Sequence, residues 1–171
     1  MRTIKFRAQD IASNKWLYGD IRHHKNDVCI FEQGGNRGEQ VKPETVGQFT
    51  GLHDKNGKEV YEGDIIAFYE LKTYCINPDC DPHLLGYSER LHKKIKVVRF
   101  EDGMFGVESE YLPIDSFAYL GDWAADEDYM EELKKDQYFD ANGYDLDDVI
   151  GFEVIGNIHD NPDLIKKVGE Q

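Results

Sequence analysis

The sequence is short of positive charge. Its 171 residues hold 20 Lys and Arg against 34 Asp and Glu, a formal net charge of −14. Binding to DNA or RNA needs clustered cations that displace counterions from phosphates, so this balance speaks against a nucleic-acid surface. It speaks equally against docking on an anionic membrane face. No apolar run approaches the roughly 18 residues of a membrane span. The opening Met1-Arg2-Thr3-Ile4-Lys5-Phe6 alternates polar and apolar and has no apolar signal core, so a cytoplasmic address is expected. Cysteine is sparse too. Cys29, Cys75 and Cys80 are odd in number and follow no disulfide framework, which suits a reducing compartment and buried free thiols.

Apolar residues are not in short supply. They make up 40% of the chain before its 16 glycines are added, an ordinary globular proportion that argues against disorder. The length fits one domain, residues 1–171. Most of it reads as short strands. Ile4, Phe6 and Ala8 alternate with Lys5, Arg7 and Gln9, a period of two. Ser13-Asn14 supplies a turn, after which Trp16-Leu17-Tyr18 opens a second strand and Val28–Phe31 forms a third. Asn56-Gly57 between apolar runs predicts a hairpin with a type I′ turn. Glu62-Gly63-Asp64 is a further turn, in which Asp64 can accept backbone hydrogen bonds. Ile65–Tyr69 reads as a central strand, and Asp102-Gly103 joins another hairpin. Thr50-Gly51-Leu52 suggests a close approach of backbones. The chain closes with a strand at 152–158 and a short helix with Asn161 as cap and Pro162 in its first turn. Many short antiparallel strands with glycine turns predict a mainly β fold, a small barrel or sandwich.

Two segments break the rhythm. Residues 72–92 have no clean period and read as an extended loop. Residues 122–148 carry eleven acids against Lys134 and Lys135, so −9 of the net charge sits in this one segment. Asp122 suits an N-cap, acids load the first turn and lysines the last, which predicts a helix over 123–138.

Three stretches together resemble the YopX family of phage and prophage proteins. The first is Ile4–Ala8 with Lys15–Gly19. The second is Pro43–Leu52 running into Asp54–Ile66. The third is Glu153–Ile158 with Asn161-Pro162. Gln9 departs from the family pattern, which often has Trp there, and the segments 72–92 and 122–148 look like expansions. The resemblance implies a mostly β fold with an SH3-like barrel, here with an acidic helical insert near 122–148. It implies a phage or prophage origin and action inside a bacterial host cell. It implies no established activity, and it carries no catalytic or cofactor-binding residues.

Candidate chemistry is thin. Cys75, Cys80, His83 and His92 are zinc-ligand types, but C-x4-C is not the tight knuckle, and a loop that happens to carry these residues is the plainer reading. A calcium loop from Asp140 fails, with Tyr144 and Asp145 at positions five and six. The glycine loop 34–38 lacks the Lys-Ser or Lys-Thr of a phosphate loop. His23-His24 reads as a surface pair at a strand end. No cofactor is expected. Aromatics and acids of the insert, namely Trp123, Asp126, Glu127, Asp128, Tyr129, Glu131 and Glu132, form a candidate interaction surface, since interfaces favour Tyr and Trp. The expected function is therefore a non-enzymatic protein-binding module or oligomeric accessory factor, partnering itself or a host or phage protein. The alternatives are an acidic mimic of nucleic acid that occupies a host DNA-binding protein, or a metal-dependent enzyme.

Overall fold

The alternating segments form strands that pair with their neighbours in sequence, as short turns require. In order they are β1 (Phe6–Gln9), β2 (Trp16–His24), β3 (Asp27–Phe31), β4 (Gly38–Val41), a 3-10 turn at Pro43–Thr45, β5 (Gly47–His53), β6 (Glu59–Tyr61), β7 (Asp64–Cys75), β8 (Tyr87–Glu101), β9 (Met104–Val107), β10 (Phe152–Asn157) and the helix α1 (Pro162–Lys166). The computed structural model describes residues 4–25, 27–32, 34–75, 87–101, 103–107 and 151–166, with 24, 70–75 and 87–91 described by backbone only. The expected acidic helix at 123–138, and the rest of the insert 122–148, lie outside the described residues.

The fold is mainly β, in two antiparallel sheets of order β4-β3-β2-β1-β5-β6 and β10-β7-β8-β9. The described strands leave both sheets open, so the expected closed SH3-like barrel is not what they form. The reason lies at β1. It is paired on both sides, with β2 and with β5. The far strand β4 curls back but meets the chain only beyond the end of β1, through a single bridge, Asp10 to Val41. Two amide bonds, Ile11 N–H to Gln40 C=O and Lys42 N–H to Gln9 C=O, hold that contact.

Each alternating strand buries one side. Ala8, Val28, Ile30 and Val41 make one core cluster, with Phe6, Leu17, Ile21 and Val46 packed around it. The second cluster joins the two sheets: Val60 of β6 meets Ile66, Val98, Val107, Phe152 and Val154 of the other sheet. A buried Ile or Val contributes roughly 1.5–3 kcal/mol relative to exposure, so these clusters dominate the favourable terms. Ile65-Ile66 does lie in an interior strand, as β7 stands between β10 and β8.

The signature string around 50–64 turns out to be a set of hydrogen-bonded joints. Thr50-Gly51-Leu52 is a bulge, not a close approach. The register runs from Phe49 opposite Tyr61 to His53 opposite Glu59, so β5 carries extra residues there. Thr50 Oγ1 donates to Val60 C=O and accepts from Leu52 N–H, while a Cβ on Gly51 would meet nothing within 4 Å. The Asn56-Gly57 turn is not type I′, because of those two only Gly57 has positive φ, at 79°. Instead Gly57 N–H donates to Asp54 C=O and Asp54 N–H to Lys58 C=O. This is a three-residue loop with its glycine in the left-handed region. The Asp54 carboxylate organises it, accepting from Asn56 and Lys58 N–H through one oxygen and from Val154 N–H through the other. That last bond pins the hairpin tip to β10.

Both ends of the expected loop at 72–92 are strand. Residues 72–75 and 87–92 extend an unbroken ladder from Ile65–Val97 out to Cys75–Tyr87. Lys72, Thr73, Arg90 and Leu91 fit a ladder that earlier residues already template, which overrides their lack of period. Residues 76–86 lie outside the described residues. At the chain's end Asn161 precedes α1 as expected, but its side chain does not cap it. Asn161 Oδ1 accepts from Asn157 N–H at 3.3 Å.

Candidate functional site

Strand alternation sets the site. The side of β1 opposite the Ala8 core presents Lys5, Arg7 and Gln9, and the matching side of β2 presents Trp16, Tyr18 and Asp20. Arg7 stands opposite Tyr18 on one side and Gly47 on the other. The bare Gly47 lets the turn after β6 lie close, for a Cβ there would sit 2.5 Å from the Glu62 carbonyl oxygen.

That turn delivers Asp64 to Arg7. The two form an ion pair at 2.6 Å, with side chains 7% and 1% exposed. Arg7 also donates to the Glu62 carbonyl, and Asp64 accepts from Tyr61 N–H at 2.8 Å, as its turn position leads one to expect. The guanidinium carbon lies 4.8 Å from the Trp16 ring centroid and 5.0 Å from that of Tyr61. Two aromatic faces thus take one cation. Burial pushes the Asp64 carboxyl up, and the pull of Arg7 and the Tyr61 amide only partly offsets it. The pair has almost no access to solvent, so its role is to lock β1, β6 and β7 together.

Two flanking carboxylates complete the network. Asp160 accepts from Trp16 Nε1 at 2.7 Å, Gln9 Nε2 at 3.0 Å and Asn157 Nδ2 at 2.8 Å. Burial pushes its carboxyl pKa up, but the bonds from Asn157 and Trp16 outweigh that and leave it below the usual range. His159 leans on Trp16 with ring centroids 5.9 Å apart, and burial together with Arg7 holds its pKa low. On the other side Glu59 accepts from Lys5 Nζ and from the Tyr61 hydroxyl at 2.6 Å. Burial opposes these bonds and loses, so Glu59 too lies below its ordinary pKa.

Next to this locked layer lies an open groove of about 350 Å³, lined by Ile4, Lys5, Trp16, Leu17, Tyr18, Gly19, Asp20 and Glu32. Tyr18 is 44% exposed and Ile4 63%. The inner side of the Tyr18 ring is fixed edge-on against Tyr61, with Lys5 Nζ 5.7 Å from its centroid. The groove offers a rigid aromatic wall with carboxylates at one end.

Of the zinc-ligand candidates, the two that lie among the described residues, Cys75 and His92, are set apart on the β7–β8 ladder. Cys75 stands opposite Tyr87, and His92 opposite Glu70. They are five ladder positions apart, roughly 17 Å at about 3.3 Å per residue, so one ion cannot take both. Cys80 and His83 lie outside the described residues, as do Trp123, Asp126, Glu127, Asp128, Tyr129, Glu131 and Glu132. Among the described residues no three His, Cys, Asp or Glu side chains converge on a common point, and no helix is long and apolar enough to cross a membrane. Arg7, Trp16, Tyr18, Asp64 and Asp160 were not singled out as site residues from sequence. The signal was present in the period-two rows Lys5-Arg7-Gln9 and Trp16-Tyr18-Asp20, whose polar and aromatic members had to share a face.

The residues of this network come from the opening stretch, the 43–66 string and the closing stretch. A solved structure, the crystal structure of protein EF1440 from Enterococcus faecalis, is similar to this chain at 20% identity. Its TM-score is 0.44, with 96% of this chain and 99% of that one covered. Among curated proteins none matches the chain. The family model described as YopX protein matches residues 5–166, nearly the whole length, and spans every residue of the Arg7 network; the chain belongs to the YopX family.

Proposed function

We propose that this chain is a non-enzymatic protein-binding module, acting as a homo-oligomer or on a host or phage protein in the bacterial cytoplasm, and that the groove beside Tyr18 is its contact surface. The observation that carries this reading is the rigid, partly exposed aromatic wall of Trp16 and Tyr18, continuous with exposed Ile4. Interfaces concentrate aromatic side chains at their centres with a polar rim. Here Lys5, Asp20 and Glu32 supply that rim. The network beneath, anchored on Asp64 and Asp160, fixes the rings in advance, so little ordering is lost on binding.

The test is affinity capture on the immobilised chain from lysogenic cells, at about 50 and about 300 mM salt, with sedimentation velocity of the free protein beside it. The wild-type chain should retain a defined protein, or itself, at both salts, and Tyr18→Ser should lose it while its far-UV circular dichroism is unchanged. Equal retention by wild type and Tyr18→Ser would remove the groove from the interface.

A further inference from the structure

We infer that the Tyr18 groove takes an arginine side chain from a basic segment of its protein partner; this rests on the proposed binding role of the same groove and names the chemistry it selects. The molecule already shows what these rings hold. Arg7 lies between Trp16 and Tyr61 at 4.8 and 5.0 Å from their centroids, and Lys5 approaches the Tyr18 ring. Tyr18 is 44% exposed, so its ring is open to a second cation from outside.

The charges in the groove point the same way. Asp20 follows Tyr18 by two residues on β2 and shares its side of the strand. Glu32 follows β3 directly, where bare Gly19 brings the two backbones together: a Cβ on Gly19 would lie 3.1 Å from Glu32 Cα. Both acids line the groove and are exposed. Neither has an ion-pair partner among the described residues, for Arg22 lies over the Phe31 ring and Arg37 pairs with Glu39. Among the described residues that line the groove, the one cation, Lys5, is already held at 2.7 Å by Glu59. Among the described residues the groove therefore has two uncompensated carboxylates beside an open aromatic face. A planar guanidinium satisfies both, because it stacks on the ring and donates to carboxylates at its edge. An ammonium has no planar face to stack and is more strongly hydrated.

The probe is the peptide acetyl-Ala-Arg-Leu-Arg-Ala-amide, titrated into the full chain and followed by amide and indole shifts in two-dimensional NMR. Saturable shifts are expected at Trp16 Nε1, Tyr18 and Gly19. The same peptide with citrulline for arginine, isosteric but neutral, should give none, and the lysine version should bind several-fold more weakly. Asp20→Asn with Glu32→Gln should raise Kd about tenfold, whereas Tyr18→Phe, which keeps the ring, should leave it within about twofold. These exposed substitutions leave the core intact. No saturable shift, or equal binding of the citrulline or lysine peptide, overturns the arginine assignment. The two readings fail separately. If Tyr18→Ser loses the captured partner while Asp20→Asn with Glu32→Gln keeps it in full, the groove is an interface but not one for arginine. If both variants keep it, the groove is not an interface.

Discussion

Removing Arg7 should unfold a large part of the protein's stability margin, and the dependence on Asp64 should show why. In Arg7→Met the Asp64 carboxylate, 1% exposed, loses its only ion-pair partner among the described residues. Breaking a buried pair from one side costs about 3–5 kcal/mol, because a charge stays behind in a low-dielectric place. Two ring contacts go as well, worth about 0.5–2 kcal/mol each. Against a typical total of about 5–15 kcal/mol this is a substantial share. Asp64→Asn should cost about 3 kcal/mol, since Arg7 keeps both rings and the Glu62 carbonyl. The double variant leaves no buried charge. Its loss should fall short of the two single losses together by about 2–3 kcal/mol. Urea unfolding reads this, with Trp123→Phe as background so that Trp16, in van der Waals reach of the guanidinium, is the sole indole reporter. A second signature follows from titration. With Arg7 gone, the larger positive charge offsetting the burial that raises Asp64 is lost and Lys58 is left, so protonation relieves the strain. The Arg7→Met deficit should therefore shrink from pH 7 to pH 5. Single losses below about 1 kcal/mol that simply add would refute the view that this pair joins the two sheets.

Gly19→Ala should destabilise by about 3 kcal/mol or more, since its Cβ would fall 1.9 Å from the Phe31 carbonyl oxygen, an overlap with backbone that no rotamer relieves; urea unfolding checks it, and a loss under about 1 kcal/mol contradicts it. Asp54→Ala should cost about 3 kcal/mol, because it orphans the N–H groups of Asn56, Lys58 and Val154 together; amide exchange at Val154 should accelerate by the same factor as global unfolding or more. Stability should peak between about pH 7 and 9. Glu59, Asp160 and His159 all have folded pKa values below their unfolded ones, so their contributions are present above about pH 4 for the acids and about 6.5 for the histidine, and are lost as pH falls through the folded values. Tyr61 is raised by burial and by Glu59, so its contribution holds below about pH 10 and is lost above it. Asp64, raised, works against the acid-side loss. A urea midpoint that climbs steadily from pH 7 to pH 4 would contradict this balance.

Much of the fold was legible because alternation is a local signal. Ile4–Gln9, Trp16–Tyr18, Val28–Phe31 and the hairpin through Asp102-Gly103 each carry their period within a few residues, and each became a strand. Closure was not legible. Whether β4 returns to pair along β1 or only past its end depends on β5 having taken the second edge of β1, a contact forty residues away. The arm at 72–75 and 87–92 was hidden for a related reason. Its backbone pairing continues from Ile65–Val97, and a ladder once begun can carry residues of mixed polarity outward. Asn56-Gly57 misled on turn type because Asp54 bonds the amides of Asn56 and Lys58 and so favours a longer loop, a choice made by a side chain two residues upstream.

The site shows where single-sequence reasoning stops. A cluster such as Cys75, Cys80, His83 and His92 catches the eye because reactive residue types stand close in sequence, yet an antiparallel hairpin moves Cys75 and His92 about 17 Å apart along its ladder. The residues that do meet are remote: Arg7 with Asp64, and Trp16 with Asp160. What joins them is the turn after β6 and the turn after β10, both of which arrive over the same face of β1 and β2. The family string at 59–66 is thus informative in a way its composition hides. Glu59, which also accepts from the Tyr61 hydroxyl, grips Lys5, Asp64 grips Arg7, and the ring of Tyr18 packs edge-on against Tyr61 at the groove. A surface aromatic kept in place by buried charge is costly to build for stability alone, since well-packed apolar residues serve that end as well or better. On the proposed binding role, the locked layer both joins the strands and shapes the groove above it.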